Sequence, residues 1–357
     1  MNVLSLFDGM SCGRIALHEA GIKVDKYFAS EIDKHAIAQT QLNFPDTIQL
    51  GDVTQVKGSD LPKIDLLIGG SPCQGFSFAG KRLNFKDPRS VLFFEYVRIL
   101  RELKAINPDI KFLLENVRMR KEYELVISNE LGLFPVKINS ALVSAQNRVR
   151  LYWTNIRTRK EGLFSDVYTD IPQPEDRGVF LRDILEQEED VSTKYDISES
   201  SKNRINRYII DREPTVRMLK NAKETSEKAN CLLATAYKGA QANGMTLVPV
   251  FTEPTIYQLP RRENKGGIIK RETPTLTACA WKQNNTLCIS SSQAHATVAI
   301  NKSTIDNRLR RLTPTECARL QTIPDWYVWN CSETQIYKML GNGWTVEVIK
   351  HIFSYLK

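Results

Sequence analysis

The chain has 357 residues, 42% of them apolar and 25% charged, which is ordinary for a folded protein and excludes wholesale disorder. Its net charge of +8 permits a polyanionic partner without requiring one. No apolar run approaches the ~20 residues of a membrane span, and seven scattered cysteines without a Cys-x-x-Cys pair and four distant histidines argue against both a disulfide scaffold and a zinc site. The N-terminus runs straight into a strand-like segment, so no signal peptide is expected. The length predicts about two domains.

Val3 to Phe7 reads as a strand, Asp8 to Gly13 as a turn, and Arg14 to Ala20 as a helix, the opening of a nucleotide-binding βαβ unit. Gly9 and Gly13 lack the full dinucleotide spacing, which argues against a pyrophosphate and leaves room for a carboxylate or a ribose. Lys26 to Ser30 reads as a second strand ending at Glu31, where a ribose acceptor belongs, with a helix over Asp33 to Gln41. Another strand end carries Asp52, suited to accept from an exocyclic amine.

Ile64 to Ile68 is an apolar run, read as a buried strand, and it leads into Gly69-Gly70-Ser71-Pro72-Cys73-Gln74-Gly75-Phe76-Ser77-Phe78-Ala79-Gly80. A cysteine just past a strand's carboxyl end, between glycines and after a proline, suits a thiolate held against a ligand. Leu92 to Ile106 has helical spacing. Lys111 to Leu114 reads as a strand, with Glu115-Asn116-Val117 at its end, so Cys73 and Glu115 converge on one pocket as nucleophile and acid. Arg148 and Arg150, in an alternating run to Trp153, share one strand face.

From about Glu161 to Asn301 the β-α alternation fades. Cys231 to Lys238 and Thr275 to Lys282 share Leu-x-Ala-x-Ala-aromatic-Lys, and each precedes a polar stretch, Gly239 to Gly244 and Gln283 to Thr286. They read as β elements whose loops enter a DNA groove or merely pack. Thr313, Pro314 and Glu316 form a helix start. Gly341-Asn342-Gly343 reads as a tight turn before a C-terminal amphipathic helix.

In this order the motifs resemble those of the DNA cytosine-5 methyltransferases: Phe7-Asp8-Gly9, Ser71-Pro72-Cys73-Gln74, Glu115-Asn116-Val117, Gln146-Asn147-Arg148-Val149-Arg150, Arg311 to Gln321, and Gly341-Asn342-Gly343. The likeness covers the first ~155 residues and the last ~50. Ser30-Glu31 and Trp344-Thr345-Val346 also resemble the animal de novo branch, whereas the loop from Gln74 to Lys81 is closer to bacterial and phage enzymes. Met10-Ser11-Cys12 departs from the more glycine-rich turn of many members.

The resemblance implies an α/β, Rossmann-like class I methyltransferase domain, residues 1–160 and 302–357, with a smaller, mainly β target-recognition domain at 161–301. It implies S-adenosylmethionine as cofactor, held by Phe7, Gly9, Ser11, Gly13, Glu31, Ile32, Asp52, Val53, Pro72, Asn342 and Trp344. Cys73, Glu115, Arg148 and Arg150 are the catalytic residues it implies, and Gln74, Ser77 and Lys81 lie on the substrate loop. Arg148 is the expected charge beside the Cys73 thiolate. The partner is double-stranded DNA, the protein a cytoplasmic monomer in a bacterial or phage-infected cell, beside a separate restriction enzyme in some settings, and no metal is called for. A transfer-RNA methyltransferase on the same scaffold is the alternative that the long middle segment disfavours. A catalytically silent DNA-binding paralogue is disfavoured by intact Cys73, Glu115 and Arg148.

Overall fold

The computed structural model describes residues 1–72, 88–163, 165–196, 198, 228–232, 234, 247–250, 255–258, 267–269, 285–288 and 308–356. The substrate-loop residues Cys73, Gln74, Ser77 and Lys81 lie outside them, as do Gly239 to Gly244 and Thr275 to Asn284.

Seven strands form the central sheet: β1 (Asn2–Leu6), β2 (Lys26–Ser30), β3 (Ile48–Gln49), β4 (Leu66–Gly69), β5 (Lys111–Val117), β6 (Val136–Asn139) and β7 (Val149–Thr154). Their order is β3-β2-β1-β4-β5-β7-β6. The first five run parallel, and β7 is antiparallel to both β5 and β6. The chain proceeds outward one way from β1 and the other way from β4. The crevice between those two strands is therefore a topological switch point, where an open α/β sheet binds its ligand beyond the strands' carboxyl ends.

Strand composition follows from this burial. Leu66, Leu67 and Ile68 are fully buried, as a central parallel strand covered on both faces requires. Helices α1 (Cys12–Glu19), α2 (Lys34–Asn43), α3 (Pro88–Ile106) and α4 (Lys121–Leu131) connect the strands. Asp33 caps α2, accepting from the His35 amide at 3.0 Å. After the middle of the chain come α5 (Pro314–Leu320), α6 (Glu333–Asn342) and α7 (Val346–Phe353). Val346, Val348, Ile349, Ile352 and Phe353 bury one face of α7, and α7 packs against α1. The C-terminal segment thereby returns to the first turn of the chain.

Two local expectations change. Glu115 does not follow β5 but lies inside it, because β7 pairs with β5 through Val117, with Glu115 opposite Tyr152. Gly341-Asn342-Gly343 is not a tight turn: α6 runs to Asn342, and Gly343 has an ordinary φ of −68°. Glycine is needed at 343 for space, since a Cβ there would sit 3.0 Å from the Cys12 sulfur.

By contacts the chain divides into one unit of residues 1–184, 228–238 and 314–357, and a second of 185–227 and 239–313. In the second, Leu247–Val250 (β10) pairs antiparallel with Arg308–Arg311 (β14), and Thr255–Gln258 (β11) lies between Gly267–Ile269 (β12) and Asn285–Cys288 (β13). The first unit also holds a hairpin of Thr158–Glu161 (β8) and Asp166–Thr169 (β9).

Candidate active site

The carboxyl end of β1 is the first half of the site. Phe7 and Ser11 both adopt positive φ, 58° and 64°, which costs L-residues ~1–3 kcal/mol each and is tolerated where a turn is fixed by its surroundings. Asp8 fixes it: its carboxylate accepts from the Tyr27 hydroxyl at 2.8 Å and from the Ser11 hydroxyl. Burial pushes the Asp8 carboxyl up to about 6, with a smaller push from Glu31 opposing the hydroxyl bonds. Ser11 is fully buried, bonded to Asp8 and 3.1 Å from the Thr40 hydroxyl, so its backbone is what it can present to a ligand.

Glu31 is clamped by three amides at 2.8 Å, Gly9 to one oxygen and Ile32 and Asp33 to the other. Next to it Ile32 is 76% exposed, a large apolar surface at a strand end. A Cβ on Gly9 would meet nothing within 4 Å. Open space at Gly9, a fixed carboxylate and a bare apolar side chain fit a nucleoside-bearing cofactor lying along this edge. Asp52 caps the short helical turn Val53–Gln55 through the Thr54 amide at 2.9 Å, and Val53 is buried beneath it. Gly13 is closely packed: a Cβ would lie 2.3 Å from Ile68 Cδ1 and 3.3 Å from the Trp344 ring. Asn342 ends α6 just before the Gly343 that faces Cys12.

Trp344 joins this half to the next. A Cβ on Gly70 would meet Trp344 Nε1 at 2.9 Å and Glu115 Oε2 at 3.3 Å. The indole, the carboxylate and the start of the Cys73 loop therefore meet at one glycine. Asn116 bonds the Ser71 hydroxyl at 3.2 Å, tying β5 to the residues just before Pro72 and Cys73.

Glu115 pairs with Arg150, Oε1 to Nε at 2.9 Å, both side chains largely covered. Burial opposes the Arg150 charge, and Glu115 and the Cys231 sulfur more than offset it, so its pKa rises. Arg148 is 3% exposed. Its Nη2 donates to the carbonyls of Gly341 at 3.3 Å and Gly343 at 2.8 Å, and its Nη1 to that of Leu232 at 3.1 Å. Arg148 thus pins the C-terminal closing segment, while Arg150 faces the acid. Gln321 supports the same segment, donating to Leu340 at 2.6 Å and accepting from Thr345 at 2.9 Å.

Sequence reasoning missed one pocket residue. The stretch 228–232 lies along 145–147: Ala229 donates to Ala145 at 2.6 Å, Asn147 to Ala229 at 2.9 Å, and Leu232 to the Gln146 side chain at 2.7 Å. This brings Cys231 against both arginines. Read alone, its segment resembled a β element of the recognition region, and no spacing signalled the sulfur's destination.

Sheet order and the switch-point crevice define a Rossmann-like α/β fold. The solved Dnmt2 methyltransferase of S. pombe shares this fold at TM-score 0.63 and 19% identity, covering 100% of this chain and 98% of that one. The family model for C-5 cytosine-specific DNA methylase matches residues 1–357, and the chain belongs to that family. It is 31% identical to the type II methyltransferase M1.ScrFI of Lactococcus lactis subsp. cremoris over 98% of this chain and 76% of that protein. It is 28% identical to the orphan methyltransferase M.SPRI of Bacillus phage SPR over 100% and 97%. Its activity is that of a DNA cytosine-5 methyltransferase, and its cofactor is S-adenosylmethionine.

Proposed function

We propose that the reaction proceeds through a covalent bond between Cys73 and C6 of a cytosine turned out of the duplex, with Glu115 as proton partner of the ring. Cytosine C5 is a poor nucleophile, and the carbon is out of reach inside stacked DNA, so the base must leave the stack at a cost of a few kcal/mol. Attack of the Cys73 thiolate on C6 opens the C5–C6 double bond and makes C5 enamine-like. A proton shared between Glu115 and N3 offsets the electron density driven into the ring. S-adenosylmethionine supplies the methyl group as an electrophile. Loss of the C5 proton then re-forms the double bond as the thiolate leaves. Arg150 keeps the Glu115 carboxylate aimed, and Arg148 holds the closing segment that carries Asn342 and Trp344.

The observation that supports this reading is the meeting of Glu115, Trp344 and Gly70, three residues before Cys73, at the carboxyl ends of β4 and β5. On the cofactor side, Phe7, Gly9, Ser11, Gly13, Glu31, Ile32, Asp52, Val53 and Pro72 complete the enclosure with Asn342 and Trp344. Gln74, Ser77 and Lys81 close over the extruded base. Residues 161–301 supply target recognition through their polar loops, and DNA affinity falls steeply with salt as phosphate contacts are lost.

We infer action as a monomer. The type II names of several relatives support a restriction–modification setting with a separately acting nuclease, and a DNA substrate supports a cytoplasmic location. Among the described residues no helix is long and apolar enough to cross a membrane.

The test takes two steps. Bisulfite sequencing of DNA from cells expressing the protein reports the methylated base and its context. A duplex of that context with 5-fluorocytosine, which has no C5 proton to lose, should then trap a protein–DNA adduct visible by intact mass. Cys73→Ser should form none while still binding DNA and cofactor. An adduct that persists in that variant would remove Cys73 from the mechanism.

A further inference from the structure

Among the described residues, the base side of the pocket has an unbalanced charge. Two guanidiniums, which stay protonated in proteins, meet one carboxylate, and all three side chains are largely buried. A buried cation without a counter-charge is costly. Arg150 has Glu115. Arg148 has backbone carbonyls and the sulfur of Cys231, at 3.4 Å from Nη1, and the same sulfur lies 3.7 Å from Arg150 Nη2.

We propose that Cys231 serves as a thiolate, the counter-charge that bridges Arg148 and Arg150 and thereby positions Arg150 on the Glu115 carboxylate. This rests on the reading of Glu115 and its arginines as the base pocket. Cys231 is a positioning residue here: it acts through Arg150 and forms no bond to substrate. The groups facing it are Arg148, just before β7, and Arg150 in β7 and, behind Arg150, Glu115 from β5, with Tyr152 further along β7. Burial works to raise the Cys231 pKa, and the two guanidiniums override it, so the net shift is downward. Cys331 is an internal control. It is also half-buried and unpaired, and burial moves its thiol the opposite way.

The experiment uses the full-length protein and reads each cysteine separately. Iodoacetamide modification is followed from pH 5.5 to 9 by mass spectrometry of the peptides. Because the thiolate is the reactive form, Cys231 should be alkylated about tenfold faster than Cys331 at pH 7, with a rate midpoint below that of an ordinary thiol. In Arg150→Met the midpoint should move up. Equal rates at the two cysteines, or a midpoint that Arg150→Met leaves in place, overturns the proposal.

In parallel, single-turnover methylation is measured for Cys231→Ser, Cys231→Ala and Cys231→Asp. Serine and alanine should both lose about tenfold in rate, with cofactor affinity intact, and aspartate, which restores a negative charge, should recover part of it. Full activity in Cys231→Ser overturns the role of charge. Should Cys73→Ser prove fully active while the alkylation pattern holds, the pocket reading fails and the thiolate assignment stands.

Discussion

Cys12 and Cys231 are two cysteines of the same fold unit with opposite chemistry, and the contrast extends to the regions around them. At the end of β1, burial governs. It pushes the Cys12 thiol up to about 12 and the Asp8 carboxyl up to about 6, and it raises the Tyr27 phenol as well. The partners there are hydroxyls and amides, which stabilise an anion less than a cation does. At the end of β5 Cys231 is half-buried and burial still works to raise its pKa, but the partners are guanidiniums, and the pKa moves down. Burial alone therefore does not set the state of a side chain: the neighbour within 3–4 Å does. One end holds its anions with hydroxyls and amides, the other with guanidiniums. Trp344 and Gly70 join them.

The largest effect should come from the ionic end. Glu115→Gln keeps the shape of the side chain and removes both the exchangeable proton and the charge facing Arg150. Methyl transfer should fall ~10²–10⁴-fold, read by incorporation of labelled methyl into duplex DNA, while calorimetry finds cofactor affinity unchanged. A matching loss of cofactor affinity would mean that the two regions are not separable as drawn.

The β1 end should show itself through pH. The Asp8 pKa is raised from 3.8 to about 6 on folding. A raised carboxyl pKa adds stability that is fully present below the unfolded value and is lost as pH rises through the folded one. Asp8 should therefore cost about 2 kcal/mol by pH 7 relative to pH 4, at 1.36 kcal/mol per unit. Melting of Asp8→Asn should vary less with pH than wild type across that window. Parallel curves for the two proteins would show that Asp8 titrates normally.

How much of this was legible follows the same division. The strands and the order of motifs can be read because apolar runs and strand-end residues are local signals, and Glu31 and Asp52 lie beyond their strands as those signals indicate. The longer β5 was not legible, because its last residues are strand only through pairing with β7, a distant partner. The Gly341-Asn342-Gly343 bend failed for a related reason: glycine there answers to crowding by Cys12, more than three hundred positions earlier. Cys231 was invisible as a pocket residue because what defines it is contact with Arg148 and Arg150, some eighty positions away.

Gly70 tests the join. Its missing Cβ leaves room for Trp344 Nε1 and Glu115 Oε2, and the indole is a rigid neighbour that cannot swing away cheaply. Gly70→Ala should cost ~1–3 kcal/mol of stability. Unlike Glu115→Gln, it should weaken cofactor binding and slow methyl transfer together, because it displaces a residue of each region. A loss confined to one of the two measurements would show that Trp344 and Glu115 move independently.

The smallest effect should come from the neutral cysteine. Cys12 Sγ faces the backbone N–H of Trp344 and the tight approach of Gly343, so it acts as a small apolar filler with one weak acceptor. Cys12→Ala removes that sulfur and leaves a gap beneath the closing segment, at about 1–2 kcal/mol. Cofactor affinity should drop modestly as Trp344 loosens. Between pH 6 and 9 the variant's activity profile should follow that of wild type, because a thiol that stays protonated throughout carries no charge to lose. Cys231→Ser, whose wild-type sulfur titrates inside a charged cluster, should change the profile over the same range. Identical pH profiles for wild type and both variants would erase the distinction between the two regions, and a profile altered only by Cys12→Ala would invert it.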